Sequence, residues 1–112
     1  MAPPLPDDVV AEIRTTFAAR DAAEACANRL VAGRLAACVQ IDGPVRSTYR
    51  WQGAVETAEE WRCTCKTTPA RAAACIAAIV AGHPYTTPEV LMRESMATAA
   101  YAAWVRESVD PI

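Results

Sequence analysis

The chain has 112 residues, 53% of them apolar, and a formal net charge of −2, with a pI near 5.3. That length bounds a single domain, and 25 alanines leave few large side chains for its core. The charge argues against nucleic acid or anionic membrane as the main partner, and no apolar run nears the roughly 20 residues that span a bilayer.

The Pro-rich, acidic start, residues 1–7, reads as a loosely ordered lead-in, unlike the basic and apolar start of a signal peptide. Val9 to Phe17 alternates, with Ala11, Ile13 and Phe17 on one face and Glu12 and Arg14 on the other, which predicts a strand. Arg20 to Ala32 changes to helical period: Ala23, Cys26 and Leu30 share one face, and Gly33 closes the helix. Leu35 to Ile41 returns to period 2, and Asp42-Gly43-Pro44 predicts a bend or bulge. The alternation resumes at Val45 and runs through Tyr49 and Trp51 to a hairpin turn at Gln52-Gly53. A long strand follows, roughly Val55 to Thr67, with Trp61, Cys63 and Cys65 on one side.

Thr68-Pro69 is a helix start, a capping hydroxyl followed by a proline at the first helical position. Ala72, Cys75, Ile76, Ile79 and Val80 form its apolar stripe, and Gly82 and Pro84 end it. Glu89 to Glu94 reads as a short strand, and Thr98 to Ser108 as a last helix with Tyr101, Trp104 and Val105 on its inner face.

The order β-α-β-β-α-β plus a terminal helix predicts an α+β, ferredoxin-like sandwich with an antiparallel four-stranded sheet. Two helices cover one face of such a sheet. Two strands of about 15 and 13 residues exceed the usual length of 5–6 and would project beyond a compact monomer. Open face and long edges together predict a closed homo-oligomer. Five cysteines, an odd number, are expected as reduced, mostly buried thiols of a cytoplasmic protein.

The most informative stretch is His83-Pro84-Tyr85-Thr86-Thr87-Pro88-Glu89. Each proline sets its own φ and pushes the residue before it toward extended geometry. The stretch also holds the only histidine of the chain. Together with Leu35-Ala36-Ala37-Cys38-Val39, Tyr49-Arg50-Trp51-Gln52-Gly53 and Lys66-Thr67-Thr68, in this order and spacing, it resembles the divalent-cation tolerance family CutA. The resemblance covers about Val9 to Val109. It implies a cytoplasmic homotrimer like that of PII signalling proteins and an association with copper and other divalent metals. A copper site proposed for the family uses a cysteine near the end of the first strand and two consecutive histidines before Pro-Tyr. The corresponding positions here are Thr15, Gly82 and His83, so only His83 matches a ligand.

Two roles are open to His83. It is a metal ligand, with Glu89 and a cysteine such as Cys38, or a helix-end histidine whose ring bonds a terminal carbonyl. Cys63 and Cys65 are about 7 Å apart on one strand face, which suits a core rather than a zinc knuckle. Tyr49, Trp51 and Tyr85 are expected to line an inter-subunit contact or a ligand pocket there. Arg46, Thr48, Arg50, Glu60, Arg62 and Lys66 read as polar rows that form cross-strand ion pairs. The sharper reading of Lys66 and its neighbours is an anion-binding cleft between subunits, as in PII-like sensors. No Gly-rich phosphate loop, nucleophile elbow or Cys-His constellation is recognisable, so catalysis is not expected. Copper or another divalent cation is the only cofactor expected, and the fold is not expected to require it. The competing function is a PII-like signalling or scaffold trimer that binds a small ligand or partner protein.

Overall fold

The computed structural model describes residues 8–110, so the expected lead-in at residues 1–7 lies outside the described residues. The elements run β1 (Val9–Phe17), α1 (Arg20–Ala32), β2 (Cys38–Trp51), β3 (Ala54–Thr67), α2 (Pro69–Gly82), β4 (Val90–Met96) and α3 (Ala99–Val109). The strands form one sheet in the order β2-β3-β1-β4, antiparallel throughout. This is the sandwich expected from the element order, with β3 and β1 in the centre.

Alternation along β1 divides its side chains between two layers. Ala11, Ile13 and Phe17 join Cys63 and Cys65 of β3 beneath α1 and α2. The helices contribute Ala23, Cys26 and Leu30 from α1, and Ala72, Cys75 and Ile79 from α2. Alanine and cysteine make up most of this layer. Ile76 is part of the packing, whereas Val80 lies at the rim and is 51% exposed.

The second face is not left wholly open. Val10, on the opposite parity, is only 2% exposed, and α3 packs against β1 and β3. The buried residues of α3 are Ala102, Val105 and Val109. Tyr101 and Trp104, expected on the inner face, are instead 37% and 45% exposed. The small side chains face the sheet, and the two rings stand outside as a tilted pair 5.7 Å apart.

Local chemistry sets most boundaries. Thr68 accepts a hydrogen bond from the Arg71 N–H at the start of α2, and Thr98 accepts one from Tyr101 at the start of α3. The end of α1 departs from expectation. Gly33 keeps a negative φ, and Arg34 takes the left-handed conformation at φ 56. The Leu35 N–H then reaches Leu30 O and the Arg34 N–H reaches Val31 O, the paired bonds of a Schellman motif. Arg34 is held there from outside: its guanidinium donates to Asp110 O, and its carbonyl accepts from Arg71. Leu35 to Ala37 is consequently a connection rather than the start of a strand.

The β2–β3 hairpin closes at Gln52 (φ 50) and Gly53 (φ 82), the two positive φ angles of a type I′ turn. Pairing runs Trp51↔Ala54, Tyr49↔Glu56 and Val45↔Glu60, then shifts between Asp42 and Val45. The shift changes parity. Cys38, Gln40 and Asp42 before it share a face with Val45, Ser47, Tyr49 and Trp51 after it, because both sets pair with even-numbered residues of β3. Arg46, Thr48 and Arg50 therefore lie opposite Glu60, Arg62 and Lys66 and do not form one polar row with them. Arg62 instead makes a two-pronged contact to Asp42, 2.7 and 3.3 Å.

β1 pairs with β3 only from Trp61 to Thr67. The hairpin from Val45 to Glu60 therefore extends past the sheet as an arm. The described chain measures 48 × 29 × 20 Å, and its radius of gyration is 15.1 Å, against about 13 Å for a compact chain of this length.

Gly43 lies at the root of the arm, where a Cβ would stand 2.8 Å from the Trp61 ring and 3.1 Å from Glu60 O. Gly43→Ala should therefore cost about 1–3 kcal/mol of stability, as overpacking does, measured by chemical denaturation at fixed protein concentration. An unchanged midpoint would show that the Trp61 contact does not constrain the bulge.

Candidate functional site

At the end of α2, His83 caps the helix with extended backbone, φ −82 and ψ 135, the geometry that Pro84 imposes on its predecessor. The chain turns directly, so the Tyr85 N–H donates to His83 Nδ1 at 3.1 Å. With Nδ1 accepting, the ring proton sits on Nε2, which donates to Thr16 O at 2.8 Å. The ring stacks on Phe17 at 4.4 Å and 11° and lies tilted against Tyr85 at 4.9 Å. The histidine thus fastens the α2–β4 loop to the end of β1.

Tyr85 carries the connection onward. Its hydroxyl donates to Glu60 Oε2 at 2.9 Å, so the loop also grips the root of the arm. Burial, then the bond to Glu60, pushes the Tyr85 phenol up from 10.0 to about 12.

Between the arm and this loop lies a cleft of about 850 Å³. Tyr49, Trp51 and Glu56 form its wall on the arm, and Glu60, Tyr85 and Glu89 its wall at the loop, with Thr16 at its base. The tertiary structure brings Tyr49, Trp51, Tyr85 and Glu89 together there, but not Lys66 or Cys38. Lys66 pairs with Cys38 at the far end of the hairpin and donates to Gln40 at 2.9 Å. Six residues of strand separate it from Glu60, about 20 Å.

Glu56 is a cleft residue that pattern reading missed, and Glu60, read there as part of a polar row, joins it in the cleft. Glu56 was within reach: a two-residue turn at Gln52-Gly53 sets Tyr49 opposite it. Glu60 was not, because its place depends on Tyr85.

The expected ligand set of His83, Glu89 and Cys38 does not converge within a protomer. Both ring nitrogens of His83 are engaged by backbone, and Cys38 lies at the other end of the sheet. Among the described residues, no group of three His, Cys, Asp or Glu is placed to hold a metal ion. The positions matching the family's copper site fit no better. Thr15 is fully buried, and a Cβ at Gly82 would stand 2.6 Å from the Arg29 guanidinium. The core thiols are also poor ligands. Burial pushes Cys63 up to about 12 and raises Cys26. A hydrogen bond to Cys75, with burial, raises Cys65.

Comparison with known proteins places this architecture. The family of the CutA1 divalent ion tolerance protein matches residues 11–108. The divalent-cation tolerance protein CutA of Thermus thermophilus is 36% identical over 94 residues, 83% of this chain and 91% of that protein. The crystal structure of CutA from Xylella fastidiosa superposes with a TM-score of 0.86 at 36% identity, covering 90% of this chain and 98% of that one. The structure described as the periplasmic divalent cation tolerance protein CutA of Archaeoglobus fulgidus gives 0.86 at 31% identity, with coverage of 90% and 99%.

His83→Ala removes two hydrogen bonds and a stacked ring and should cost about 2–3 kcal/mol, read from denaturation midpoints at fixed protein concentration. A loss within error would mean that the ring does not fasten the loop. Tyr85 has a pH signature. Its folded value exceeds its unfolded one, so its contribution is whole below pH 10 and is lost as pH rises toward 12. Wild type should lose stability more steeply than Tyr85→Phe over that window, and equal slopes would contradict the burial of the phenol together with its Glu60 contact.

Proposed function

The chain belongs to the CutA1 divalent ion tolerance protein family, and we propose that it acts without catalysis, as a cytoplasmic homotrimer, in tolerance of copper and other divalent cations. The observation that carries the assembly is the arm. From Val45 to Glu60 its two strands pair only with each other. Val55, Trp51 and Tyr49 on it are 63%, 42% and 41% exposed. An isolated hairpin is marginally stable in water, and unpaired strand edges with exposed aromatic rings are what a second copy covers. The edge strand β4 offers a further apolar surface, with Leu91 at 58% and Met96 at 64% exposure.

The cytoplasmic location draws support from five cysteines that are all free thiols. No helix among the described residues is long and apolar enough to cross a membrane.

The metal role in this proposal is weak or indirect. A divalent ion is held by residues such as Glu89 or the half-buried Cys38 singly or across copies, since no protomer assembles a ligand set for it. A second reading is a PII-like trimer that binds a small ligand or partner in inter-subunit clefts. The cleft beside the arm favours it, because its volume and mixed aromatic and polar walls are those of small-molecule sites.

Light scattering on the size-exclusion peak should return three times the 12.0 kDa chain mass, and a stable monomer would overturn the assembly. Copper titrations of wild type and His83→Gln should give equal affinities, whereas a loss in the variant would make His83 a ligand. Deleting the gene should lower the copper concentration that stops growth, and an unchanged threshold would overturn the tolerance role.

A further inference from the structure

We propose that Cys65 and Cys75 form a peroxide-responsive dithiol, which a small hydroperoxide oxidises to a disulfide that ties β3 to α2 across the core.

Topology brings the two residues together. Thr68 alone joins the end of β3 at Thr67 to the start of α2 at Pro69, so the helix folds straight back over its own strand. Cys65 lies two residues before this corner on the strand, about 7 Å. Cys75 lies six residues beyond Pro69 on the helix, about 9 Å. Both therefore sit at a similar depth from the corner. Both also face one layer, Cys65 beside its partner Ile13 and Cys75 between Ala72 and Ile79 on the buried side of α2. There the two thiols meet as a hydrogen-bonded pair.

The other thiols are placed differently. Cys63 stands about 7 Å from Cys65 along the strand, too far for a relaxed disulfide, and its S–H is directed at Ala23 O, 3.7 Å away. Cys38 pairs with Lys66, so it belongs to the opposite face of the sheet. Cys26 enters the layer from α1, away from the corner that holds Cys65 and Cys75.

The hydrogen bond also makes the pair unequal. It raises Cys65, and the S–H of Cys65 favours the thiolate of Cys75 and lowers that thiol against the opposing effect of burial. Cys75 is thus the nucleophile. Its sulfur attacks one peroxide oxygen, and the O–O bond breaks. The hydroxide that leaves takes up the proton that Cys75 released, giving water and a sulfenic acid on Cys75. The Cys65 sulfur then attacks the Cys75 sulfur, the S–O bond breaks, and the oxygen departs as water with the Cys65 proton. Two thiols and one hydrogen peroxide give one disulfide and two waters, with two electrons passing from sulfur to oxygen.

Both thiols are 0% exposed, so oxidation proceeds through local opening of the β3–α2 corner. That selects a small, neutral oxidant over a bulky disulfide such as oxidised glutathione. It also keeps the pair reduced until peroxide rises, as suits a redox-sensing dithiol in a reducing compartment.

The test treats the native, reduced protein with millimolar hydrogen peroxide, unfolds it in excess maleimide and maps its tryptic peptides by mass spectrometry. Residues 63–66 should be joined to residues 72–93, with maleimide on Cys63 and fragmentation placing the bond on Cys65. Dithiothreitol should return both thiols. Oxidised glutathione at equal concentration should form the bond at least tenfold more slowly. Cys38→Ser should still form the bond, and Cys75→Ser should not. The mapping on wild type stands even if Cys75→Ser does not fold. A bond through Cys63 or Cys26 overturns the proposal. So do five unchanged maleimide adducts, loss of Cys75 to sulfinic acid without a bond, or oxidation by glutathione as fast as by peroxide.

Discussion

A mismatch in strand length governs this molecule. β3 has 14 residues and β1 has nine, and their pairing ends at Phe17↔Trp61. Beyond that pair, β3 has only β2 beside it. The arm, the exposed aromatic residues on it and the cleft beneath it all follow from this difference. A sheet with matched strands would have buried Tyr49 and Trp51 or dispensed with them. The unpaired length leaves backbone groups of the arm without a neighbouring strand and its rings exposed, and the proposed assembly is argued from this.

The free arm is positioned at its root by two contacts of different kinds. On one side Gly43 lets the bulge lie against the Trp61 ring, where any Cβ would collide. On the other, Glu60 takes the Tyr85 hydroxyl, and Tyr85 is itself held by His83. The relay from Phe17 through His83 and Tyr85 to Glu60 joins β1, the α2–β4 loop and β3. Pro84 makes it possible by holding His83 extended, so that the ring nitrogen faces the next N–H but one. The histidine, the one side chain most readily read as a metal ligand, spends both nitrogens on backbone groups. Those bonds and the stacked Phe17 ring hold the loop that forms one wall of the cleft.

The core follows another economy. Alanine and cysteine make up most of the layer between sheet and helices, with Ile13, Phe17, Leu30 and Ile79 as its large members. Burial raises the Cys26 and Cys63 thiols, and the hydrogen bond to Cys75, with burial, raises Cys65, which disfavours these three as metal ligands. A member of a divalent-ion tolerance family thus has four of its five cysteines committed to packing. The carboxylates that line the cleft, Glu56, Glu60 and Glu89, are not gathered into a three-ligand metal cluster.

The amino-acid sequence by itself determined the element order, the helix cap at Thr68, the hairpin turn and the family. These are local: period, capping hydroxyls, the φ demands of a two-residue turn, and a set of short motifs. It did not reach features that depend on elements meeting. The bulge at Gly43 reverses the parity of β2, so the faces of Arg46 and Arg50 could not be counted from Cys38. The approach of α3 put Ala102 and Val105 inward and left Tyr101 and Trp104 at the rim. Arg34 took the left-handed position that Gly33 offered because Asp110 and Arg71 hold it from distant elements. His83 has both ring nitrogens engaged because Thr16 and Tyr85 arrive on them. Cys38 and Lys66 fell away from the cleft because six residues of strand lie between them and it. Period and propensity are properties of neighbours in the chain, whereas faces, partners and clefts are set by register and packing, which only the folded sheet supplies.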